Sequence, residues 1–412
     1  MYHPENHGVF MVTTPVRYIL CAIIAVCSVV VGWSMYRYIF DTQAPEVVIS
    51  GIEEGAYYAG DIPCIIAMRD QAKVSDISIF MDDKPLVVHF KINKRHAEYP
   101  LVIPTLTLPA GRHELKVEAV DGSYHKNSSV EMVSFIVDNV PLQAAFTRSE
   151  LDIKVFQGRT LHIMFQVSKP IKSATTRMLS REYLCVPEDP HSLIYESFVP
   201  ISAEEKPNEY PFSIELVDYV GNTVILEGKF QIVLFPFPQQ TLNIKQEDIE
   251  AEESAGSDQR LLEEKLESLV QQSPQQKLWR GSFYAPTDIR RISTQFGTIR
   301  TTQHRGKYTH NGIDIVSEPK HVVWAPQDGI IVIQERFGWS GNTVVIDHGC
   351  GIFSLFYHLD SFGKHMVGDR IKQGSPVGTI GKTGFASGYH LHWEMRIQNI
   401  PVDPMQWTKH DF

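Results

Sequence analysis

The sequence has little cysteine and no cluster of basic residues. Its five cysteines are dispersed over 412 residues and odd in number, which fits neither a disulfide framework nor a Cys-x-x-Cys zinc module. Lys and Arg number 38 against 48 Asp and Glu, a net charge of -10, and no basic run is available to contact phosphates. The composition therefore argues against a disulfide scaffold, a zinc-thiolate site and a nucleic-acid partner.

Several catalytic motifs are also missing. The chain has no His-Glu-x-x-His pair of thermolysin-type peptidases, no Gly-x-Ser-x-Gly of serine hydrolases and no phosphate-binding Gly-x-x-x-x-Gly-Lys-Ser/Thr. Histidine, in contrast, is abundant, and nine of its 17 copies lie in residues 281–412. Because imidazoles are common metal ligands and proton carriers, this clustering predicts a functional site in the C-terminal third.

The N-terminal segment is apolar over the length of a membrane span. No residue from Tyr18 to Tyr36 is charged, and about 20 such residues cross the hydrocarbon layer as a helix. A cleaved signal peptide and a buried core helix are the alternatives, but the run is long for a signal peptide and has no small-residue cleavage site. We therefore expect residues 1–41 to form a cytoplasmic tail and a retained transmembrane signal-anchor, although Arg17 and Arg37 flank the span equally and leave its orientation open.

The residues that follow predict a mainly β protein. Strands such as Arg112–Asp121 and Phe212–Asp218 alternate apolar and polar residues, are bounded by turn residues and recur about one immunoglobulin-like domain apart. We expect two Ig-like β-sandwiches, at 42–140 and 141–240, serving as spacers or as docking sites for an envelope protein partner.

Residues 241–280 are predicted to be an acidic linker with one short amphipathic helix. The stretch from Lys245 to Glu267 is strongly acidic and lacks apolar periodicity in its first half. Leucines at helical spacing then predict a helix from a cap at Asp258 to about Gln272, packed on a neighbouring domain.

Within residues 281–412, two strand-like segments carry most of the chemistry. Alternation places His310 and Asp314 on one face, with Gly312 between them leaving room for an ion. A second segment alternates so that His390, His392 and Glu394 share a face. The sequence predicts a zinc site with three protein ligands, namely His310, Asp314 and one of the two later histidines, with the other histidine acting as general base.

His358, in Tyr357-His358-Leu359, is a further candidate. Single histidines are usually structural, but this set in one short β region is distinctive. From Ser282 to Trp407 the chain resembles the lysostaphin/LytM-type zinc peptidases, the M23 metallopeptidase family. The resemblance is carried by Ser293-Thr294-Gln295-Phe296-Gly297, His310-Asn311-Gly312-Ile313-Asp314, Ala325-Pro326 with Gly329, Asp347-His348-Gly349, Tyr357-His358-Leu359, Gly374 with Gly378, Gly381-Lys382-Thr383-Gly384 and Gly388-Tyr389-His390-Leu391-His392-Trp393-Glu394.

The resemblance implies an antiparallel-β peptidase domain that cleaves peptide bridges of peptidoglycan. It implies Zn²⁺ ligands at His310, Asp314 and His392, and a pair at His358 and His390 that orients and deprotonates the nucleophilic water. For Glu394, a hydrogen bond to a ligand is the less favoured alternative to having no role at the site. The expected location is the inner (cytoplasmic) membrane, single-pass, with the catalytic domain on the periplasmic side.

A binding protein is the alternative to an enzyme. Members of this family that have lost ligands act as non-catalytic activators of other wall hydrolases, and paired β domains suit docking. All five positions of the site are present in this chain, which favours a zinc metalloendopeptidase acting on peptidoglycan peptide stems, with no nucleic-acid partner.

Overall fold

The computed structural model describes residues 14–147, 153–242, 246–302 and 306–409. Strands predominate among the described residues and helices are few, which confirms the predicted mainly β class with an N-terminal apolar helix. The chain divides into two compact units, Met1–Pro141 and Leu142–Phe412. The predicted domain bounds remain predictions, and residues 1–13 of the expected cytoplasmic tail lie outside the described part.

Helix α1 (Thr14–Phe40) contains 23 consecutive residues, Tyr18–Phe40, long and apolar enough to cross a membrane. None of this apolar window is buried inside the protein, so α1 is not a core helix. Its exposed apolar surface is compatible with either a membrane anchor or a signal sequence.

The first β region of the chain is one hydrogen-bonded sheet. Its strands are β1 (Glu46–Ser50), β2 (Tyr57–Tyr58), β3 (Asp61–Met81), β4 (Lys84–Pro104), β5 (Gly111–Asp121) and β6 (Ser128–Val137), in the order β1-β3-β5-β6-β2 with β4 on β3. Leu115, Val117 and Ala119 are fully buried, which confirms the alternation predicted for Arg112–Asp121. The Ig-like assignment of this region and the next stays a prediction.

The second unit begins with an eight-stranded sheet. Its strands are β7 (Ala144–Phe146), β8 (Lys154–Phe156), β9 (Thr160–Val167), β10 (Ser173–Met178), β11 (Arg181–Pro187), β12 (Ile194–Pro200), β13 (Glu209–Val217) and β14 (Thr223–Val233), in the order β7-β9-β12-β11-β10-β13-β14-β8. Phe212, Ile214 and Leu216 of β13 are buried as the sequence predicts.

The remaining strands form two sheets, and the larger one carries the histidines of the site. They are β15 (Gln239–Leu242), β16 (Arg291–Thr294), β17 (Ile299–Thr302), β18 (Gly306–Thr309), β19 (Ile313–Val316), β20 (Val322–Trp324), β21 (Gly329–Phe337), β22 (Gly341–Asp347), β23 (Ile352–Phe362), β24 (Arg370–Ile371), β25 (Pro376–Ile380), β26 (Leu391–Ile397) and β27 (Ile400–Val402), followed by α3 (Pro404–Trp407). The main sheet runs β16-β19-β26-β23-β22-β21-β24, and β15, β17 and β18 form a separate three-stranded sheet.

Both faces of the main sheet are buried. On one face, Trp393 and Phe356 belong to the large core of the second unit. On the other face, Phe353, Leu355 and Tyr357 form a smaller core with helix α2 (Gln246–Gln272). Alternate residues of β23 thus serve two cores, which is why this strand is almost continuously buried.

Helix α2 packs as predicted but starts earlier. Leu262 and Leu266 are buried against the sheet. The helix begins at Gln246 instead of at Asp258, so most of the predicted acidic linker is helical. Glu, Gln and Ala have high helix propensity, and that propensity sustains the polar first half without an apolar stripe.

The second β region packs directly on the histidine-bearing region. Thr160 N donates to Gln406 Oε1 at 2.7 Å, and Trp407 Nε1 donates to Thr160 Oγ1 at 3.0 Å. Arg159 pairs with Asp403. Phe198 lies 5.8 Å from Trp407, ring centre to ring centre. The two regions therefore share a core within one compact unit.

Candidate metal centre and active site

Three predicted ligands meet in one buried place. Asp314 Oδ1 lies 2.8 Å from His392 Nδ1 and 3.1 Å from His310 Nε2, and the two ring nitrogens are 3.1 Å apart. All three residues are buried, with at most 8% of their surface exposed. The side chains converge because Asp314 of β19 is the direct cross-strand partner of His392 of β26.

His310 reaches this place from outside the strand. Strand β19 starts at Ile313, so the predicted strand alternation from His310 onward was wrong. Gly312 was also misjudged, because the space above it is occupied: a Cβ there would meet Trp393 O at 2.4 Å and His392 Nε2 at 2.9 Å. Glycine is needed at this position for the close approach of β26, and room for an ion is not the reason.

Outer hydrogen bonds orient both imidazoles. His310 Nδ1 lies 3.2 Å from the backbone oxygen of Gln295, and His392 Nε2 lies 2.9 Å from Glu394 Oε1. Since these acceptors can each take one ring N–H, the second nitrogen of each ring faces Asp314 and is the one available to a metal ion. Glu394 therefore bonds one of the candidate ligands, which is the alternative that the sequence analysis favoured less.

The surroundings of the three residues shift their pKa values in different directions. Burial would lower the pKa of His392, but its hydrogen bonds to Asp314 and Glu394 prevail and raise it to about 9. Burial lowers the pKa of His310, and the bond to Asp314 only partly opposes this. The pKa of Asp314 is held well below its usual value because the two imidazoles outweigh the cost of burial. The carboxylate is thus ionised, and the space between the three groups favours one positive charge.

The donor set fits zinc. Nitrogen and oxygen ligands about 2.0–2.1 Å from a tetrahedral zinc ion lie about 3.3 Å from one another, close to the separations of these three donors. Among the described residues, Asp41, Asp70 and Asp121 also lie close enough to hold an ion. That group has only carboxylates, and backbone N–H groups of Ala72, Lys73 and Ser123 already bond them. Imidazole ligands distinguish the group at Asp314.

His358 and His390 lie next to the three donors and face each other. Their ring centres are 4.8 Å apart, and His390 Nε2 is 3.8 Å from Asp314 Oδ1. His358 Nδ1 is 2.9 Å from Thr383 O, and His390 Nδ1 is 2.9 Å from Gly388 O. With Nδ1–H donated to a carbonyl, each ring has Nε2 free to accept a proton.

The backbone at His358 has an unusual conformation. Its φ is +62°, in the left-handed region, and its N–H bonds Ser340 O at 2.8 Å. The pairing between β22 and β23 shifts register just before this residue. The irregularity turns the imidazole toward His390, and such local irregularity is common at functional sites. Burial, with the nearby His390 and His392, lowers the pKa of His358 to about 3.

Sequence reasoning missed two arginines near the centre. Arg300 of β17 donates to Asp314 Oδ2 at 2.9 Å and to Thr294 Oγ1 at 2.9 Å, so it fixes the oxygen that points away from the histidines. Arg396 Nε donates to Glu394 Oε2 at 2.7 Å. Arg396 shares the alternating face of His392 and Glu394, a pattern visible in the sequence, whereas nothing in the sequence links Arg300 to Asp314.

Comparison with known proteins places this geometry in a family. Residues 308–404 match Peptidase family M23. DD-carboxypeptidase/endopeptidase Mpg of Neisseria meningitidis serogroup B is 36% identical over 121 residues, which are 29% of this chain and 27% of that protein. Peptidoglycan DD-endopeptidase ShyC of Vibrio cholerae serotype O1 is 33% identical over 123 residues, 29% of this chain and 28% of that protein.

Among solved structures, the catalytic domain of lysostaphin from Staphylococcus simulans is 25% identical, with a TM-score of 0.26, and covers 29% of this chain and 92% of that one. The matched part spans little more than a quarter of the curated relatives' length. It contains all five residues of the candidate site. The C-terminal region of the chain is therefore a peptidase domain of family M23.

Proposed function

We propose that this protein is a membrane-anchored zinc metalloendopeptidase that hydrolyses peptide cross-links of bacterial peptidoglycan. The observation that carries the proposal is the convergence of three donor atoms, from His310, Asp314 and His392, beside a second pair of histidines. The M23 match and relatives named as peptidoglycan DD-endopeptidases support the substrate class.

In this proposal, His310, Asp314 and His392 hold the zinc ion. The acceptors at Gln295 and Glu394 keep the two ring nitrogens in the tautomer that binds a metal. When bound, zinc supplies a Lewis acid that acidifies water and polarises a peptide carbonyl. Arg300 keeps the Asp314 carboxylate in the position where its other oxygen meets both imidazoles.

His358 and His390 carry the proton chemistry. Each has Nδ1 tied to a backbone carbonyl, so Nε2 is the atom that accepts the proton of the attacking water. The same atom then returns a proton to the amine that leaves when the peptide bond breaks. Two imidazoles at this spacing allow one to orient the water while the other transfers the proton.

The remaining regions set where the enzyme acts. We infer that α1 is a single-pass anchor in the inner membrane, which places the β regions and the peptidase domain on the periplasmic side, where peptidoglycan lies. The Ig-like regions are proposed to contact an envelope protein partner.

The test is digestion of purified sacculi by the full-length protein in detergent. We expect mass spectrometry to detect newly separated peptide stems, release to stop on treatment with a chelator, and zinc to restore it. Release that continues after metal removal would overturn the zinc mechanism. A protein that releases nothing alone, but stimulates another wall hydrolase, would overturn the enzyme proposal in favour of an activator.

A further inference from the structure

Helix α2 covers the face of the sheet that also bears the metal centre. Its Leu262 and Leu266 belong to the same buried cluster as Tyr357 of β23. The ring of Tyr357 stacks on the ring of His392, with centres 5.1 Å apart and planes at 10°. Since Tyr357 is also the cross-strand partner of His392, the helix packs within one residue of a proposed zinc ligand.

A continuous set of charge-assisted hydrogen bonds makes a second connection. Glu263 of α2 binds Arg396 through both oxygens, at 2.6 Å to Nη1 and 3.1 Å to Nη2. Arg396 Nε donates to Glu394 Oε2 at 2.7 Å, while Glu394 Oε1 is 2.9 Å from His392 Nε2. These hydrogen bonds therefore form an unbroken chain from Glu263 to His392.

We propose that Glu263 is a positioning residue of the metal centre, which acts on His392 through Arg396 and Glu394. This inference rests on the proposed function, because His392 must be a ligand for its orientation to matter. Glu263 lies outside the region that matches the peptidase family, residues 308–404, so α2 supplies a part of the site that the matched domain lacks.

The physical reason is the way one guanidinium is shared between two carboxylates. The side chain of Arg396 is only 3% exposed, so all its N–H groups need partners within the protein. Glu263 accepts from both terminal nitrogens, and Nη1 also donates to the neutral amide oxygen of Asn399 at 2.9 Å, so that only Nε is left for Glu394. Glu394 then keeps its second oxygen for His392.

Without the Glu263 charge, Arg396 has one buried anion left, and that anion is Glu394. The guanidinium then attracts both oxygens of Glu394 and weakens the bond that orients His392. Partners of this kind commonly change metal affinity about 10- to 100-fold. Because the Glu263 side chain is 39% exposed and partly screened by water, we expect the lower end of that range.

The experiment compares Glu263→Gln with Glu264→Gln in the full-length protein in detergent. Both changes remove one negative charge from the same turn of α2. Glu264 is exposed, and in the part of the chain that the structure describes its side chain forms no ion pair. Zinc affinity is measured by competition with a chromogenic chelator, and thermal unfolding of the metal-free proteins is measured in parallel.

We expect Glu263→Gln to weaken zinc binding about 10-fold, with Glu264→Gln unchanged and both variants unfolding near the wild-type temperature. Equal zinc affinity in wild type and Glu263→Gln, or equal losses in the two variants, would overturn the positioning role. If wild-type protein binds zinc and loses it on His392→Ala, those outcomes leave the proposed function intact. If the wild type binds no zinc, the proposed function fails first.

Discussion

His392 and His358 are buried histidines on neighbouring strands, yet their surroundings differ completely. His392 lies between two carboxylates, Asp314 and Glu394, and its pKa is raised to about 9 against the opposing effect of burial. The His358 ring has the carbonyl of Thr383 as its hydrogen-bond acceptor, and burial, with the nearby His390 and His392, lowers its pKa to about 3. The first environment attracts a cation, and the second keeps an imidazole neutral.

Within one sheet, the hydrogen-bond partners of a histidine can therefore suit it to one of two different roles. Carboxylates around His392 stabilise positive charge, which a metal ion can supply. Carbonyl acceptors at His358 and His390 fix the tautomer but add no full negative charge. Partner type therefore supports assigning His392 to the metal and His358 to proton transfer.

The largest effect should follow removal of His392, the histidine that lies between two carboxylates. We expect His392→Ala to abolish both zinc binding and release of peptides from sacculi, because two donors do not hold zinc tightly. Elemental analysis and the digestion assay measure these losses. His321→Ala is the matched control, since His321 lies in the same region, pairs with Asp288 and is outside the site.

The next effect should distinguish the role of the carbonyl-bound His358 from that of the carboxylate-bound His392. His358→Ala should leave zinc bound but reduce turnover about 10²- to 10⁴-fold, the usual contribution of a general acid–base group. The measurement combines zinc content with the rate on defined cross-linked muropeptides. Loss of zinc from this variant would mean that His358 also helps to hold the metal.

A smaller effect should come from weakening the carboxylate environment while keeping its shape. Glu394→Gln keeps a carbonyl acceptor for His392 but removes a buried charge that also pairs with Arg396. We expect zinc affinity to fall about 10- to 100-fold. An unchanged affinity, measured by chelator competition, would show that the charge of Glu394 serves only Arg396.

The smallest effect concerns a buried histidine outside the site. His348 bonds Asp328 O at 2.7 Å and Ser354 Oγ at 2.8 Å, and burial lowers its pKa to about 4. Below about pH 6.5 the imidazole of His348 binds a proton in the unfolded chain but stays neutral in the folded protein. The free energy of unfolding therefore falls as the pH drops toward 4.

The shift corresponds to roughly 3 kcal/mol at most. His348→Gln should therefore make the unfolding temperature less dependent on pH between 7 and 4, measured by thermal scans in detergent. Parallel curves for wild type and variant would contradict a neutral buried His348.

Much of the fold and site followed from local patterns. Alternation located the strand at Arg112–Asp121 and the shared face of His392 and Glu394, because side-chain direction in a strand is a property of neighbouring residues. The same rule failed at His310, where the chain is not a strand before Ile313. The residue types still pointed to the side chains that the structure brings together, although periodicity alone could not choose between His390 and His392.

Contacts between distant segments were not predictable. The pairing of Glu263 with Arg396 joins residues 133 positions apart, and no local period encodes it. The start of α2 at Gln246 was missed because a polar helix lacks the apolar stripe used to find helices. The packing of the second β region on the peptidase region was likewise missed, since spacers and packed neighbours have the same strand patterns.

The hydrogen bond between Thr160 and Trp407 joins residues 247 positions apart. During synthesis this contact cannot form until almost all of the peptidase region has been made. Until then Phe198, which packs against both Trp279 and Trp407, lacks its contact with Trp407. The late closure of so large a loop predicts slow assembly of the unit and a period in which its apolar surface needs protection from aggregation.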